Sequence, residues 1–184
     1  LENRLRFARE VCEEIKRQCG DDFPVTMRYS PKSFIKGLRD GALPGEEFAE
    51  QGRDVDEGVE AARLLASYGY DALDVDVGSY DAWWWNHPPM YQEKGLYRRY
   101  AKLVKDAVDV PVICAGRMDD PAMASAAVAD GVCDIVGLAR PLLADPFYVE
   151  KLRRDDEAAI RPCLSCHEGC LGRMIRYKSI SCAV

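Results

Sequence analysis

Four times along this chain a short apolar run ending in glycine or charged residues gives way to a helical pattern, and nothing else in the sequence limits the fold as much. The runs are PVTMRYS (24–30), ALDVDVGS (72–79), VPVICAGR (110–117) and VCDIVGLAR (132–140). Ahead of them, Leu5, Ala8, Val11, Cys12, Ile15 and Cys19 recur at spacings of three and four up to Gly20, one face of an amphipathic helix. Val55, Val59, Ala62 and Leu65 mark a second helix, and Leu96, Tyr100, Leu103, Val104 and Ala107 a third. Asp120 as N-cap with Pro121 at the first helical position opens a fourth, ending at Gly131, and Asp145-Pro146 repeats that start over 145–154. Residues 31–52, rich in Gly and Pro, and the aromatic stretch 80–95 read as loops.

Strands without a polar face, alternating with helices, predict a parallel sheet covered by helices. A doubly wound sheet would normally carry a G-x-G-x-x-G turn after a strand, and the chain has none. A TIM barrel keeps its chemistry at the C-terminal ends of its strands. Here those ends hold Arg28 and Ser30, Gly78 to Asp81, Gly116 and Arg117, and Ala139 and Arg140. The expected fold is therefore α/β, half of a (β/α)8 barrel, because a full barrel needs eight strands and about 250 residues against four strands in 184 residues. The lack of an initial Met and the close at SCAV lead us to expect a fragment of a longer polypeptide, with residues 1–160 as barrel and 161–184 as a cysteine-rich segment.

A hydrophobic content of 48% with 30% charged residues suits a soluble globular chain, and a net charge of −6 leaves nothing to neutralise phosphates, so nucleic-acid binding is not expected. No apolar run approaches the length of a membrane span, and LENRLRFARE lacks the apolar core of a signal peptide, so a cytoplasmic location is expected.

Four of the eight cysteines fall in the last 22 residues, as Cys163-x2-Cys166-x3-Cys170-x11-Cys182. Clustered thiolates at such spacings converge on a soft metal centre, either tetrahedral zinc or an iron–sulfur cluster. Zinc sites more often pair two C-x2-C units, so the uneven spacing tilts toward a 4Fe-4S cluster. His167 then reads as a neighbour of the metal rather than a ligand. Cys12, Cys19, Cys114 and Cys133 read as buried small hydrophobes.

Gly116-Arg117 and Gly137-Leu138-Ala139-Arg140 end the last two strands, where such barrels commonly bind phosphate. In GSYDAWWWNHPPMY, Tyr80 and His87 are candidate acids and Trp83 to Trp85 candidate walls, although three adjacent indoles cannot all face one way. Asp74 and Asp76 share one side of their strand.

The stretches LENRLRF, MRYS, AGRM, GLARPLLADP and RPCLSCHEGCLGR with SCAV occur in one order across the whole chain. In them the sequence resembles the iron–sulfur flavoenzymes of the old yellow enzyme class, which include 2,4-dienoyl-CoA reductase, trimethylamine dehydrogenase, clostridial 2-enoate reductase and the bile-acid-inducible NADH:flavin oxidoreductases. The resemblance implies a TIM barrel holding FMN, with this chain supplying strands five to eight. It implies Arg28 beside the flavin ring, Arg117 after strand seven, Gly116, Gly137, Ala139 and Arg140 around the cofactor and its phosphate, and Cys163, Cys166, Cys170 and Cys182 as 4Fe-4S ligands. A further C-terminal domain would carry FAD and take hydride from NAD(P)H. The cluster would pass single electrons to FMN, which reduces an activated carbon–carbon double bond in a small unsaturated substrate.

Hydride would pass from flavin N5 to the β-carbon, with a proton to the α-carbon from a tyrosine or histidine. Where dienoyl-CoA reductases show a His-containing motif after strand six, this chain has GSYDAWWWNHPP, which leans toward the enoate-reductase or bile-acid branch. Two other readings stay open: an amine dehydrogenase of the trimethylamine type, and a non-catalytic scaffold with a zinc knot. A homo-oligomer is compatible with all three. The fragment alone is expected to be inactive.

Overall fold

The computed structural model describes residues 1–184. Helix α1 (Glu2–Cys19) leads into strand β1 (Thr26–Tyr29), followed by a small antiparallel hairpin of β2 (Ile35–Gly37) and β3 (Asp40–Gly41). Helix α2 (Val55–Ser67) precedes β4 (Ala72–Val75), a 3-10 turn at Tyr80–Ala82 and the short α3 (Trp83–Asn86). Then come α4 (Arg98–Lys105), β5 (Val112–Cys114), α5 (Pro121–Ala129) and β6 (Ile135–Val136). The chain closes with α6 (Arg140–Ala144), α7 (Tyr148–Arg153), a 3-10 turn at Glu157–Ala159 and α8 (Leu171–Met174). No helix is long and apolar enough to cross a membrane.

The four apolar runs form one parallel sheet in the order β1-β4-β5-β6, with Met27 beside Leu73, Leu73 beside Val112 and Cys114 beside Val136. Each crossover is made by a helix (α2, α4, α5), as parallel neighbours require. The sheet is α/β in the expected sense, but only one face is fully covered, contrary to the expectation of strands without a polar face: Leu73, Val75, Val112 and Cys114, which the register puts together, have no exposed surface, whereas Arg28, Asp74, Ile113 and Ile135 on the other face are exposed or half-buried. Leu5 and Cys12 of α1, Ala61, Ala62 and Leu65 of α2 and Tyr100, Ala101 and Val104 of α4 complete that core. The expected cap of α5 is present, and the structure adds one on α2. Asp120 accepts from Met123 N at 2.9 Å, and Asp54 caps α2 through Glu57 N at 2.9 Å.

Several expectations are corrected. Regular strand geometry is shorter than the apolar runs, because the residues at either end of each run leave the paired register. Cys133 is buried as expected but precedes β6 rather than lying in it. Cys19 is exposed: it sits in the last turn of α1, one step beyond the stripe from Leu5 to Ile15 that meets the core. The helix at Asp145-Pro146 begins only at Tyr148, since Asp145 folds inward, 1% exposed, and accepts from Phe147 N, Arg161 N and Lys151 Nζ. Those three donors hold its carboxyl down at about 2. The two loops also contain structure, the β2–β3 hairpin and α3.

Candidate active site

All four strand ends open into one cavity of about 530 Å³. Its wall takes Arg28 from β1, Asp74 from β4, Gly116 and Arg117 after β5, and Gly137, Ala139 and Arg140 after β6. The remaining wall comes from His87 and Pro88 of the aromatic loop and from Cys163, Cys170, Leu171, Met174 and Ile180 of the C-terminal segment. The segment after residue 160 is thus part of the same site.

Parallel register sets Arg28 beside Asp74. Its Nη1 donates to Asp74 Oδ2 at 2.7 Å and its Nε to Asp76 Oδ2 at 3.0 Å. Asp76 also accepts from Asn86 Nδ2 at 3.0 Å. Burial pushes the Asp76 carboxyl up to about 6 against the attraction of Arg28. The buried hydroxyl of Tyr97 faces the carbonyls of Trp85 and Asn86 at 2.8 and 2.6 Å, and burial drives its pKa far upward. The pairing of Asp74 and Asp76 on one side was legible in the alternation of 72–79. Asn86 and Tyr97 were not, because their partners lie 10 to 12 residues away along the chain.

The three tryptophans divide as their adjacency demands. Trp84 and Trp85 both donate their indole N–H to Ala42 O, at 2.8 and 2.7 Å, and Trp85 stacks on Phe34 with centroids 3.8 Å apart. Trp83 instead stacks on His87 at 4.1 Å. His87 faces the cavity with a buried, unpartnered Nδ1, and burial with the nearby Arg140 charge brings its pKa down to about 4. Tyr80 lies against Trp83 but is 88% exposed and does not line the cavity.

Arg117 adopts a left-handed backbone at φ 60° and ties down the same loop, its Nη1 donating to the carbonyls of Pro89, Met90 and Gln92. Its Nε is buried without a partner. Gly116, at φ 82°, must be glycine: a Cβ there would stand 2.6 Å from the Tyr97 ring. Arg140 Nη1 donates to Pro88 O at 2.9 Å and stands 2.7 Å from His167 Nε2.

Cys163, Cys166, Cys170 and Cys182 are free thiols, all half-buried, and all four line one small cleft that shares Arg140, Cys163 and Cys170 with the larger cavity. Backbone amides point at two of the sulfurs, Ser165 N to Cys163 Sγ at 3.4 Å and Val184 N to Cys182 Sγ at 3.5 Å. Gly169 lets the C-terminal segment, residues 181–183, close over the loop. A Cβ at that position would meet Ser181 O at 2.7 Å and the Cys182 carbonyl carbon at 2.8 Å. No three Cys, His, Asp or Glu side chains are gathered closely enough to hold a single metal ion.

These residues fit an anionic, partly apolar cofactor in the larger cavity. Three guanidinium groups reach it, one with an unpartnered N–H, and Leu171, Met174 and Ile180 give it an apolar side. The donor set of the smaller cleft is four thiols with amide donors, which suits a sulfur-ligated cluster.

The sequence profile of the NADH:flavin oxidoreductase / NADH oxidase family matches residues 1–158. Cinnamate reductase of Clostridium sporogenes is 58% identical over the whole chain, which covers 28% of that protein. Among solved structures, a 2-naphthoyl-CoA reductase complex overlays with a TM-score of 0.85 at 27% identity, covering 99% of this chain and 26% of the other. Histamine dehydrogenase from Rhizobium sp. 4-9 overlays with a TM-score of 0.81 at 31% identity, covering 99% of this chain and 24% of the other. The chain spans about a quarter of the length of such relatives.

Proposed function

Because the chain belongs to the NADH:flavin oxidoreductase / NADH oxidase family, we propose that it is the part of a larger ene-reductase that closes the FMN cavity and holds a 4Fe-4S cluster beside it. Its sheet would be strands five to eight of an eight-stranded barrel, and the whole enzyme would reduce the double bond of an enoate conjugated to an aryl group. FMN, when bound, supplies the hydride for that reduction, and an FAD domain with NAD(P)H elsewhere in the enzyme would feed the cluster.

One observation carries this reading: the cofactor-sized cavity and the four-cysteine cleft share a wall made of Arg140, Leu143, Cys163, Ser165 and Cys170. An electron entering at the thiolates needs no further relay to reach the cavity. Within the cavity, Arg28 presents a fixed positive charge that Asp74 and Asp76 orient, the kind of group that stabilises an anionic reduced ring. Arg117 holds the loop that places His87, and we assign His87 to the proton side of the reaction: neutral at working pH, its ring N–H would hydrogen-bond the developing enolate, and the α-carbon proton would be drawn from solvent at that contact. The aryl preference comes from the likeness to cinnamate reductase.

The full-length protein, prepared anaerobically, tests the proposal. It should carry FMN and iron with sulfide, show a broad band near about 400 nm that dithionite bleaches, and oxidise NADH or NADPH with cinnamate faster than with enoyl-CoA esters, bile-acid intermediates or tertiary amines. A colourless protein with one zinc per chain refutes the redox reading. Turnover of amines alone shifts it to the dehydrogenase side, which the overlay with histamine dehydrogenase keeps in play.

A further inference from the structure

Arg140 is the one fixed positive charge that lines both the cofactor cavity and the cysteine cleft. Its Nη1 does two things at once. It donates to Pro88 O, next to His87, at 2.9 Å, and it lies 2.7 Å from Nε2 of His167, the residue between Cys166 and Cys170. His167 is held for this contact by its own backbone: it stands at φ 64°, and its carbonyl accepts from Gly172 N at 2.7 Å. A guanidinium keeps its charge at every working pH, and a planar fork pinned by two acceptors cannot drift as an exposed lysine would. The positive charge is therefore placed by construction on the wall between the two compartments, held from the cavity side by Pro88 O and from the cysteine side by His167.

We propose that Arg140 sets how an electron divides between the cluster and the flavin, and that His167 is the positioning residue that keeps the Arg140 charge on the cluster side of the shared wall. This rests on the cofactor assignment made above. A cation beside a redox centre favours the state with one more electron, and in a site of reduced dielectric that preference is large. Removing the charge should shift the equilibrium for one electron away from the cluster and toward the flavin by about tenfold, which for a one-electron couple is about 59 mV. Moving it, by removing His167, should shift the equilibrium the same way by less, because the guanidinium can still reach Pro88 O and the cavity.

The test is a redox titration of the full-length holoenzyme, followed by cluster paramagnetic resonance and flavin absorbance together, in the wild type and in Arg140→Gln, Arg140→Lys and His167→Ala. With FMN added to saturation, because Arg140 also faces the cofactor cavity, the expected order is Arg140→Gln shifted about tenfold toward flavin, His167→Ala shifted less, and Arg140→Lys closest to wild type. An unshifted Arg140→Gln enzyme that retains both groups overturns the proposal. If Arg140→Gln and His167→Ala both lose iron or flavin, the pair is scaffold and the proposal fails as well. A wild-type enzyme without iron refutes the cofactor assignment instead, so the two failures are separate results.

Discussion

Asp76, just past the end of β4, meets Arg28 of the adjacent parallel β1, Oδ2 to Nε at 3.0 Å, with the carboxylate 7% exposed and the guanidinium half open to the cavity. Arg28 is solvated enough to stay charged, so the cost of burial falls on Asp76, whose pKa rises to about 6. In an unfolded chain the same group titrates near about 3.9. The native state therefore holds the extra proton, and the stability this group contributes is present below about pH 4 and declines as pH rises to about 6. The largest effect is about 3 kcal/mol, from roughly two pKa units at 1.36 kcal/mol each. Unfolding midpoints across this range should fall with pH in the wild type more steeply than in Asp76→Asn. Parallel curves would show that the carboxyl is not raised.

His87 runs the other way. With its pKa brought down to about 4, it stays neutral in the native state while an unfolded histidine takes up a proton below about 6.5. Its contribution is present above about 6.5 and is lost as pH falls toward about 4, opposing Asp76 over the lower part of that window.

The same placement separates the two candidate acids. His87 lines the cavity, whereas Tyr80 is exposed on the far side of Trp83. In stopped-flow experiments on the whole enzyme, His87→Ala should slow reoxidation of the reduced flavin by enoate about 100-fold or more, with reduction by nicotinamide unchanged. Tyr80→Phe should leave both half-reactions near wild type. A large loss in Tyr80→Phe with an active His87→Ala would place the tyrosine, not His87, on the proton side of the reaction.

The parallel sheet, the helix caps at Asp120 and Gly20, the apolar stripe of α1 and the gathering of Arg28, Arg117 and Arg140 at one end were legible, because periodicity and strand-end chemistry are local. What was not legible depends on contacts between residues far apart along the chain. The twin indole bonds to Ala42 O reach across more than forty residues, and nothing near Trp84 or Trp85 announces that acceptor. The Arg140–His167 contact likewise joins two motifs that the sequence presents as separate, one for phosphate and one for metal. The exposed Cys19 is a different failure: the spacing was right, but the helix outlasts the surface it packs against.

The cysteines divide into two groups with opposite expected behaviour. Cys182→Ser removes one of the four thiols of the cleft, and its anaerobically isolated enzyme should lose most of its iron and the dithionite-sensitive band. Cys19→Ser, on the exposed end of α1, should keep both at wild-type levels. Equal iron in the two variants would remove Cys182 from the ligand set.

Gly58 gives a prediction against intrinsic preference. It lies inside α2, where alanine is normally better than glycine by about 1 kcal/mol. A Cβ at this position would land 2.1 Å from Pro31 O and 2.5 Å from Pro31 Cα, both backbone, and neither can swing aside as a flexible side chain would. The Tyr29 hydroxyl also points at the Gly58 carbonyl from 3.5 Å in the buried interior. Helix α2 must therefore back away from the segment that follows β1, and that strand carries Arg28 to the cavity. Gly58→Ala should lower stability by about 1–3 kcal/mol and weaken flavin retention, measured by chemical unfolding and by FMN content after dialysis. The close approach decides the sign, so a raised unfolding midpoint in this variant would show that α2 and the Pro31 turn are not in contact.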